Sequence, residues 1–293
     1  MTLREKDEVS GMETTGHEWD GIKELNTPLP RWWLWTFYAC IAFAIGYMVV
    51  YPALPLVSGA TPGLFGYSSR VDLVTDVNAA RLAQAQQLEK IQALSLEDIR
   101  KDPDLLQFAT AGGSAAFRIN CVQCHGSGAV GGKGFPNLND DDWLWGGTLD
   151  QIHTTLQHGI RYTNDADTRQ SLMPAFGADG ILTAEQINDV AEFVLKISGQ
   201  ENDATAAARG TTVYAENCVA CHGANGEGVK EFGGVRLNDA VALYVSDKAS
   251  IVAQLDRPKH GVMPAWSARL PEATIKQLAI YVHSLGGGEM PAP

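Results

Sequence analysis

The sequence has few basic residues and few cysteines. Lysine and arginine together number 22, against 34 aspartates and glutamates, which gives a formal net charge of -12 over 293 residues. This balance argues against nucleic-acid binding, which requires a basic face, and favours basic partners instead. Four of the five cysteines fall into two short motifs and Cys40 has no partner outside them, so a disulfide framework is excluded. Hydrophobic residues make up 45% of the chain, which is enough to bury a core and excludes an acidic disordered segment.

Residues 32–69 contain no charged side chain. The run from Trp32 to Tyr51 is almost wholly apolar, and 20 helical residues span about 30 Å, the thickness of a bilayer's hydrocarbon core. Tryptophans at its start and tyrosines at its end are typical of the two membrane interfaces. A cleaved secretory signal is the alternative, but both this run and the acidic leader before it are too long for one. We therefore predict an uncleaved transmembrane helix over 32–52, after an N-terminal segment 1–31.

Charge indicates the orientation of this helix weakly. Lys23 and Arg31 precede the span, and the nearest basic residue after it is Arg70. The positive-inside rule then places segment 1–31 in the cytoplasm and the rest of the chain in the periplasm.

Residues 53–107 are predicted to form a periplasmic linker with a helical stalk. Residues 53–69 are rich in Pro, Gly and Ser, which is typical of a loop leaving the membrane. The segment Val77–Leu94 is full of helix formers, with apolar residues at near-helical spacing. Ser95 with Asp98 three residues later predicts the N-cap of another short helix.

The remainder of the chain is an internal duplication. Each copy has a glycine and an aromatic residue before a Cys-x-x-Cys-His motif, then a Met-Pro pair and a final helix with the same apolar spacing. The two copies predict tandem domains over 108–200 and 205–288. The first copy carries an insert, Arg161–Ser171, that has no counterpart in the second and is predicted to be a surface loop beside the ligand.

The Cys-x-x-Cys-His motif is the attachment signature of c-type haem, in which both thiols form thioethers and the adjacent imidazole binds the iron. A zinc site and a thioredoxin-like redox pair are the competing interpretations. The motif occurs twice, at the same distance from the other repeated residues in each copy, and this favours haem over the two competing interpretations. The sequence thus predicts two covalently bound haem c groups, with the following attachment and proximal residues: Cys121, Cys124 and His125 in the first copy, and Cys218, Cys221 and His222 in the second.

The sixth iron ligand follows by elimination among the methionines. Of those after the span, Met173 and Met263 occupy equivalent Met-Pro positions, whereas Met290 has no counterpart. We predict Met173 and Met263 as the distal ligands, which gives a six-coordinate iron with a raised potential. A bis-histidine site that uses the repeated His158 and His260 is the alternative. Whether each methionine serves the haem of its own half or of the other half stays open.

A carbonyl that orients the axial imidazole is expected after each motif. The first copy has Pro136 at the spacing typical of c-type cytochromes. The second copy has Gly234 and Val235 there, which leaves this role open.

Each half resembles a class I cytochrome c, and the whole chain resembles the dihaem subunit family (CcoP, also called FixP) of cbb3-type cytochrome c oxidases. The leader Gly16–Ile22, the segment Asn26–Trp33 and the Tyr51-Pro52 pair carry this resemblance, which covers nearly the full length. It implies a mainly α fold, with one N-terminal transmembrane helix followed by two tandem class I cytochrome c domains. It also implies the bacterial inner membrane, with the haem domains periplasmic.

The resemblance further implies an electron-transfer subunit of a terminal oxidase. Electrons would pass from a donor c-type cytochrome through this chain to the monohaem subunit, and then to the haem–copper catalytic subunit. Oxygen reduction and proton pumping would occur there, so no catalytic residue is expected in this chain. Two alternatives are an anchored dihaem carrier for another reductase or dehydrogenase, and a dihaem peroxidase, which requires an open or displaceable sixth position.

Overall fold

The computed structural model describes residues 5–239, 243–245 and 247–290. The chain divides into two compact units between Arg81 and Leu82. The described residues are mainly helical, as predicted, with four short strands confined to the N-terminal unit.

The N-terminal unit begins with an antiparallel hairpin of β1 (Thr14–Trp19) and β2 (Ile22–Leu25). The turn between them contains Asp20 and Gly21, both with positive φ, of 50° and 83°. A second, much smaller hairpin pairs β3 (Pro55–Leu56) with β4 (Gly59–Ala60). This second hairpin lies in the segment 53–69, which the sequence predicted to be a loop. The prediction missed its strands because strands of two residues are too short to show an alternating pattern.

Helix α1 (Arg31–Val50) lies between the two hairpins and has no buried residue. It is long and apolar enough to cross a membrane, and its full exposure distinguishes it from the core helix of a soluble protein. It begins one residue before the predicted span and ends at Val50, two residues before the predicted end, because Pro52 lacks the N–H that would continue the helix.

Ten more α-helices follow in chain order within the described residues. Their bounds are α2 Ser69–Ala93, α3 Leu96–Lys101, α4 Pro103–Asn120, α5 Val122–His125, α6 Leu149–His158, α7 Ala184–Ile197, α8 Ala204–Asn217, α9 Val219–His222, α10 Lys248–Asp256 and α11 Glu272–His283. Helix α2 is the predicted stalk helix and starts at Ser69 rather than Val77. The Ser95 hydroxyl caps α3 by accepting a hydrogen bond from the Asp98 amide at 3.1 Å, as predicted.

The C-terminal unit contains two hydrophobic cores. Core A is built by α4, α6 and α11, with Phe117, Ile152 and Leu278 among its buried residues. Core B is built by α7, α8 and α10, with Val190 and Tyr214 among its buried residues. Ile91, the one buried residue of α2, packs into core A.

These cores do not follow the ranges 108–200 and 205–288. Helix α11, from the second copy, packs on α4 of the first, while α7 of the first copy packs on α8 of the second. The short connection 198–203 explains the second pairing, because consecutive helices joined by a short loop pack side by side. The predicted ranges thus describe the repeated sequence, and each packed core combines parts of both copies.

A glycine lies at each of the two contacts between a helix of the first copy and a helix of the second. A Cβ atom at Gly113 of α4 would lie 2.1 Å from the backbone oxygen of Gln277 in α11. A Cβ atom at Gly210 of α8 would lie 2.1 Å from the backbone oxygen of Asp189 in α7. Only a residue without a side chain allows each helix pair to approach this closely.

Candidate haem-binding sites

The two Cys-x-x-Cys-His motifs have the same local structure. Each begins where a long helix ends, α4 or α8, and forms a single turn, α5 or α9. Cysteines three residues apart on one turn lie on the same side, where both can reach one ligand. Gly126 and Gly223 end these turns with a φ of 78°, a conformation that favours glycine.

In each motif the first cysteine is buried, and its thiol resists deprotonation. Cys121 and Cys218 are buried, and burial raises the pKa of each thiol to about 11. A thioredoxin-like pair requires a lowered pKa, since the thiolate is the reactive form. Cys124 and Cys221 are exposed. The two buried thiols therefore do not supply the reactive thiolate of a thioredoxin-like pair.

The proximal histidines are held in one tautomer. His125 Nδ1 lies 3.1 Å from the Pro136 carbonyl oxygen, and His222 Nδ1 lies 2.8 Å from that of Val235. A carbonyl oxygen only accepts, so Nδ1 carries the proton and the Nε2 lone pair is free for a metal. Burial lowers the pKa of both imidazoles, which keeps them neutral. The second copy has no proline at this position, and Val235 supplies the carbonyl instead. A valine can do this because only the backbone oxygen is required.

Met263 lies with the first motif. A cavity of about 350 Å³ is lined by Cys121, Cys124, His125 and Met263, and by Leu278 of α11. Met263 also packs against core A.

Met173 lies with the second motif. Two smaller cavities, of about 100 and 130 Å³, share Cys218, His222 and Met173 among their lining residues. Met173 also packs against core B. The structure thus brings each Cys-x-x-Cys-His motif together with the methionine of the other copy.

The repeated histidines form other contacts. His158 Nδ1 lies 3.2 Å from a carboxylate oxygen of Asp165 in the insert, and His158 does not line the described cavity around His125. His260 Nε2 accepts a hydrogen bond from the Met173 backbone amide at 3.0 Å. His260 also lines one cavity of the second motif, beside Met173.

Both donor sets fit a c-type haem. Each has two thiols on one turn, a neutral imidazole with a free Nε2 and a thioether sulfur, which are the groups that attach haem c and ligate its iron. The walls of the first cavity are mostly apolar, with Phe117 and Leu156 among them.

Five residues that the sequence did not single out as site residues line the cavities of both motifs. They are Leu144, Trp145, Arg161, Leu243 and Tyr244. The two sites are therefore neighbours with a shared wall. Arg161 is the first residue of the insert and could have been identified as a candidate on that basis. Leu243 and Tyr244 belong to no motif.

Comparisons with known proteins connect this arrangement to a family. Residues 11–58 match the N-terminal domain of cytochrome oxidase-cbb3, FixP. Residues 108–194 and 205–282 match cytochrome c oxidase, cbb3-type, subunit III. The chain belongs to the cbb3-type subunit III family.

Relatives in this family are similar over almost the whole chain. The subunit CcoP of Cereibacter sphaeroides is 54% identical over 276 residues, which cover 94% of this chain and 95% of that protein. The subunit FixP of Sinorhizobium medicae is 52% identical over 283 residues, or 97% of both chains. CcoP of Azospirillum brasilense is 53% identical over 296 residues, covering 99% of this chain and all of the relative.

These similarities confirm the predicted CcoP/FixP family, the mainly helical fold with tandem cytochrome c regions, and the role as an electron-transfer subunit of a cbb3-type oxidase. Cytochrome c regions also identify haem c as the type of cofactor. The apolar helix α1 lies within the matched N-terminal domain and indicates membrane anchoring.

Proposed function

We propose that this CcoP/FixP family member is a membrane-anchored carrier with two haem c groups and exchanged distal ligands. One haem would be held by Cys121, Cys124, His125 and Met263, and the other by Cys218, Cys221, His222 and Met173. The observation that supports this assignment is the meeting of each motif with the other copy's methionine.

A bound haem c supplies a reversible one-electron couple, whose potential is raised by His/Met ligation. The residues of the chain position its ligands. The backbone amide and carbonyl of Met263 pair with those of Ile160, at 3.0 and 2.9 Å. The Met173 amide donates to His260. Both methionine loops are thus tied to neighbouring backbone or side chains, which would keep the sulfurs in place.

Closed sixth positions make the chain itself a non-catalytic carrier. A small molecule is transformed at a haem only when it reaches the iron, and the two methionines block that approach. The peroxidase alternative requires one open or displaceable position and is therefore disfavoured. Oxygen would be reduced in the catalytic subunit.

The shared wall of the two sites supports electron transfer between the haems. Arg161 and Tyr244 line both cavities, so the two sites that would hold the haems are adjacent. Electrons would enter from a donor c-type cytochrome, cross this wall and leave toward the monohaem subunit and then the haem–copper catalytic subunit. The net charge of -12 suits a basic donor.

The anchor would place the haem regions in the periplasm of a bacterial inner membrane. Lys23 and Arg31 before α1 favour a cytoplasmic N-terminus. The single apolar helix among the described residues fits a single-pass topology.

The ligand exchange is tested by replacing each methionine in proteins that keep only one motif. Cys121→Ala with Cys124→Ala removes the first attachment site and leaves the haem of His222. In this background we expect Met173→Leu to abolish the weak far-red Met-to-iron absorption band, while Met263→Leu leaves it intact.

The reciprocal background, with Cys218→Ala and Cys221→Ala, should show the opposite dependence. Intact-mass measurement of the unmodified chain should give two covalent haem additions. If each methionine proved essential for the band of its own copy's motif, the exchanged ligation would be wrong. A single haem addition would contradict the dihaem assignment.

A further inference from the structure

The insert of the first copy begins at a strained residue. Arg161 has a φ of 51°, in the left-handed region that side chains other than glycine rarely adopt. Its backbone amide donates to the Arg169 carbonyl at 2.8 Å, which joins the two ends of the insert. Backbone strain of this kind persists only where surrounding contacts hold it.

The Arg161 side chain provides those contacts by joining the two methionine loops. Its Nε donates to the Gly261 carbonyl oxygen at 2.7 Å, and its Nη1 donates to the Ser171 carbonyl oxygen at 3.0 Å. Gly261 lies two residues before Met263, and Ser171 lies two residues before Met173. One guanidinium thus binds equivalent carbonyls in the two loops.

The chemistry of this contact requires arginine. The guanidinium is planar and presents its donors in a fixed fork, so it can bind two carbonyls at once in a defined geometry. A lysine has a compact ammonium group on a flexible stem and lacks that fork. Arg161 is half-buried and lines the cavities of both motifs, so the two bonds lie in the shared wall.

We propose that Arg161 is a positioning residue that holds both methionine loops together, so that the two distal sulfurs depend on one side chain. This inference rests on the proposed ligation by Met173 and Met263. It also gives the insert a function, since the insert begins with Arg161 and ends with Ser171, the residue that supplies one of the two carbonyls.

The test measures how easily imidazole displaces the methionine from each haem of the oxidised holoprotein. It is carried out in the two single-haem backgrounds described above. Loss of a hydrogen bond from a charged donor shifts an equilibrium by about ten- to a hundredfold. We therefore expect Arg161→Gln to raise the apparent imidazole affinity by about that factor at both haems and to weaken both far-red bands.

Arg161→Lys separates positioning from charge. Lysine preserves the positive charge near both haems and should keep the redox potentials near those of the unmodified protein. It cannot reproduce the two-carbonyl geometry, so imidazole affinity should still rise. Full recovery of imidazole resistance by lysine would overturn the positioning role, and so would an effect at only one haem.

Arg169 offers a matched control within the same insert. It is also half-buried, but its guanidinium donates to the Thr155 hydroxyl at 2.9 Å and the Gln151 carbonyl at 3.2 Å, both in α6. Arg169→Gln should leave imidazole affinity unchanged, because these contacts do not reach a methionine loop. An equal rise in this variant would show general loosening of the insert and overturn the inference.

Failure of this inference can be distinguished from failure of the ligation. If Met173→Leu and Met263→Leu leave the far-red bands intact, the proposed ligands are wrong. If those variants remove the bands while Arg161→Gln and Arg161→Lys keep the original imidazole affinity, only the role of Arg161 is wrong. Haem content, measured as the pyridine haemochrome, establishes that each variant carries its haem before titration.

Discussion

Replacing Gly113 with alanine should destabilise core A through a helix from the other copy. The added methyl carbon would lie 2.1 Å from the Gln277 oxygen and 2.6 Å from the Tyr281 Cβ atom, both in α11. Ordinary contacts are about 3.5 Å, so α4 and α11 must separate or distort. The Gln277 oxygen belongs to the backbone and cannot rotate away.

The magnitude follows from two opposing effects. Overpacking a close contact costs about 1–3 kcal/mol, and an overlap with backbone lies at the upper end. Alanine is the better helix former by about 1 kcal/mol, which offsets part of that cost. A net loss of about 2 kcal/mol corresponds to a fall in melting temperature of about 4–8 °C for a unit of this size.

The assay is thermal unfolding of the holoprotein, followed by the far-red band in the Cys218→Ala, Cys221→Ala background that keeps the core A haem. Gly112→Ala is the matched control, because the three atoms nearest its methyl group would all belong to the end of the Gln277 side chain rather than to backbone. Gly113→Ala should lower the melting temperature and Gly112→Ala should not. The packing of α4 on α11 would be refuted by equal melting temperatures in the two variants.

Two further predictions concern charge. Electron transfer from a basic cytochrome should slow as ionic strength rises, since screening limits the range of the attraction between exposed charges to about 10 Å at 0.1 M salt. Stopped-flow rates that do not change with salt concentration would instead indicate a permanently bound donor. The pKa of buried Glu192 is held below its ordinary 4.5, first by a hydrogen bond from Lys248 and then by the Asp203 amide. Its stabilising contribution is therefore present above pH 4.5 and lost as pH falls through the lowered pKa. Urea unfolding should show Glu192→Gln less stable than the unmodified protein at neutral pH, with the difference shrinking in acid; a difference independent of pH would contradict this.

Features that depend on local sequence were predictable. The haem motifs, the distal methionines as candidates and the cap at Ser95 each need only a few neighbouring residues of defined chemistry. Helix α1 was predicted to within two residues, because a charge-free apolar run ending at Pro52 has few other outcomes.

The exchange of helices was not predictable from periodicity. The apolar spacing of Ile187 and Ala191 in α7 is the same as that of Ile275 and Ala279 in α11. Such a pattern shows that one face is buried but does not identify the helix that covers it. The short connection 198–203 was the available signal, since it favours packing of α7 on α8.

Backbone groups and distant side chains were also beyond the sequence. The Val235 carbonyl orients His222 as well as the Pro136 carbonyl orients His125, because an acceptor oxygen is present whatever the side chain. The two bonds of Arg161 join residues ten and one hundred positions away, and no spacing rule relates them.

The exchanged helices give the C-terminal unit an insertion topology. Core B is one continuous stretch, from Phe176 to Leu255, whereas core A is assembled from residues on either side of it, up to Leu156 and again from Ala273. One cytochrome is therefore inserted into another, between α6 and α11. A cut between the two copies would divide the inserted domain and leave neither domain whole.

This topology sets an order of folding during synthesis. The first Cys-x-x-Cys-His motif is made before the second, yet core A closes only when α11 has been made, because α11 supplies part of that core. The inserted domain is complete earlier, since all its helices precede Arg257. We expect the motif that is made first to be enclosed last, which would leave Cys121 and Cys124 accessible to the attachment machinery for most of the synthesis of this chain.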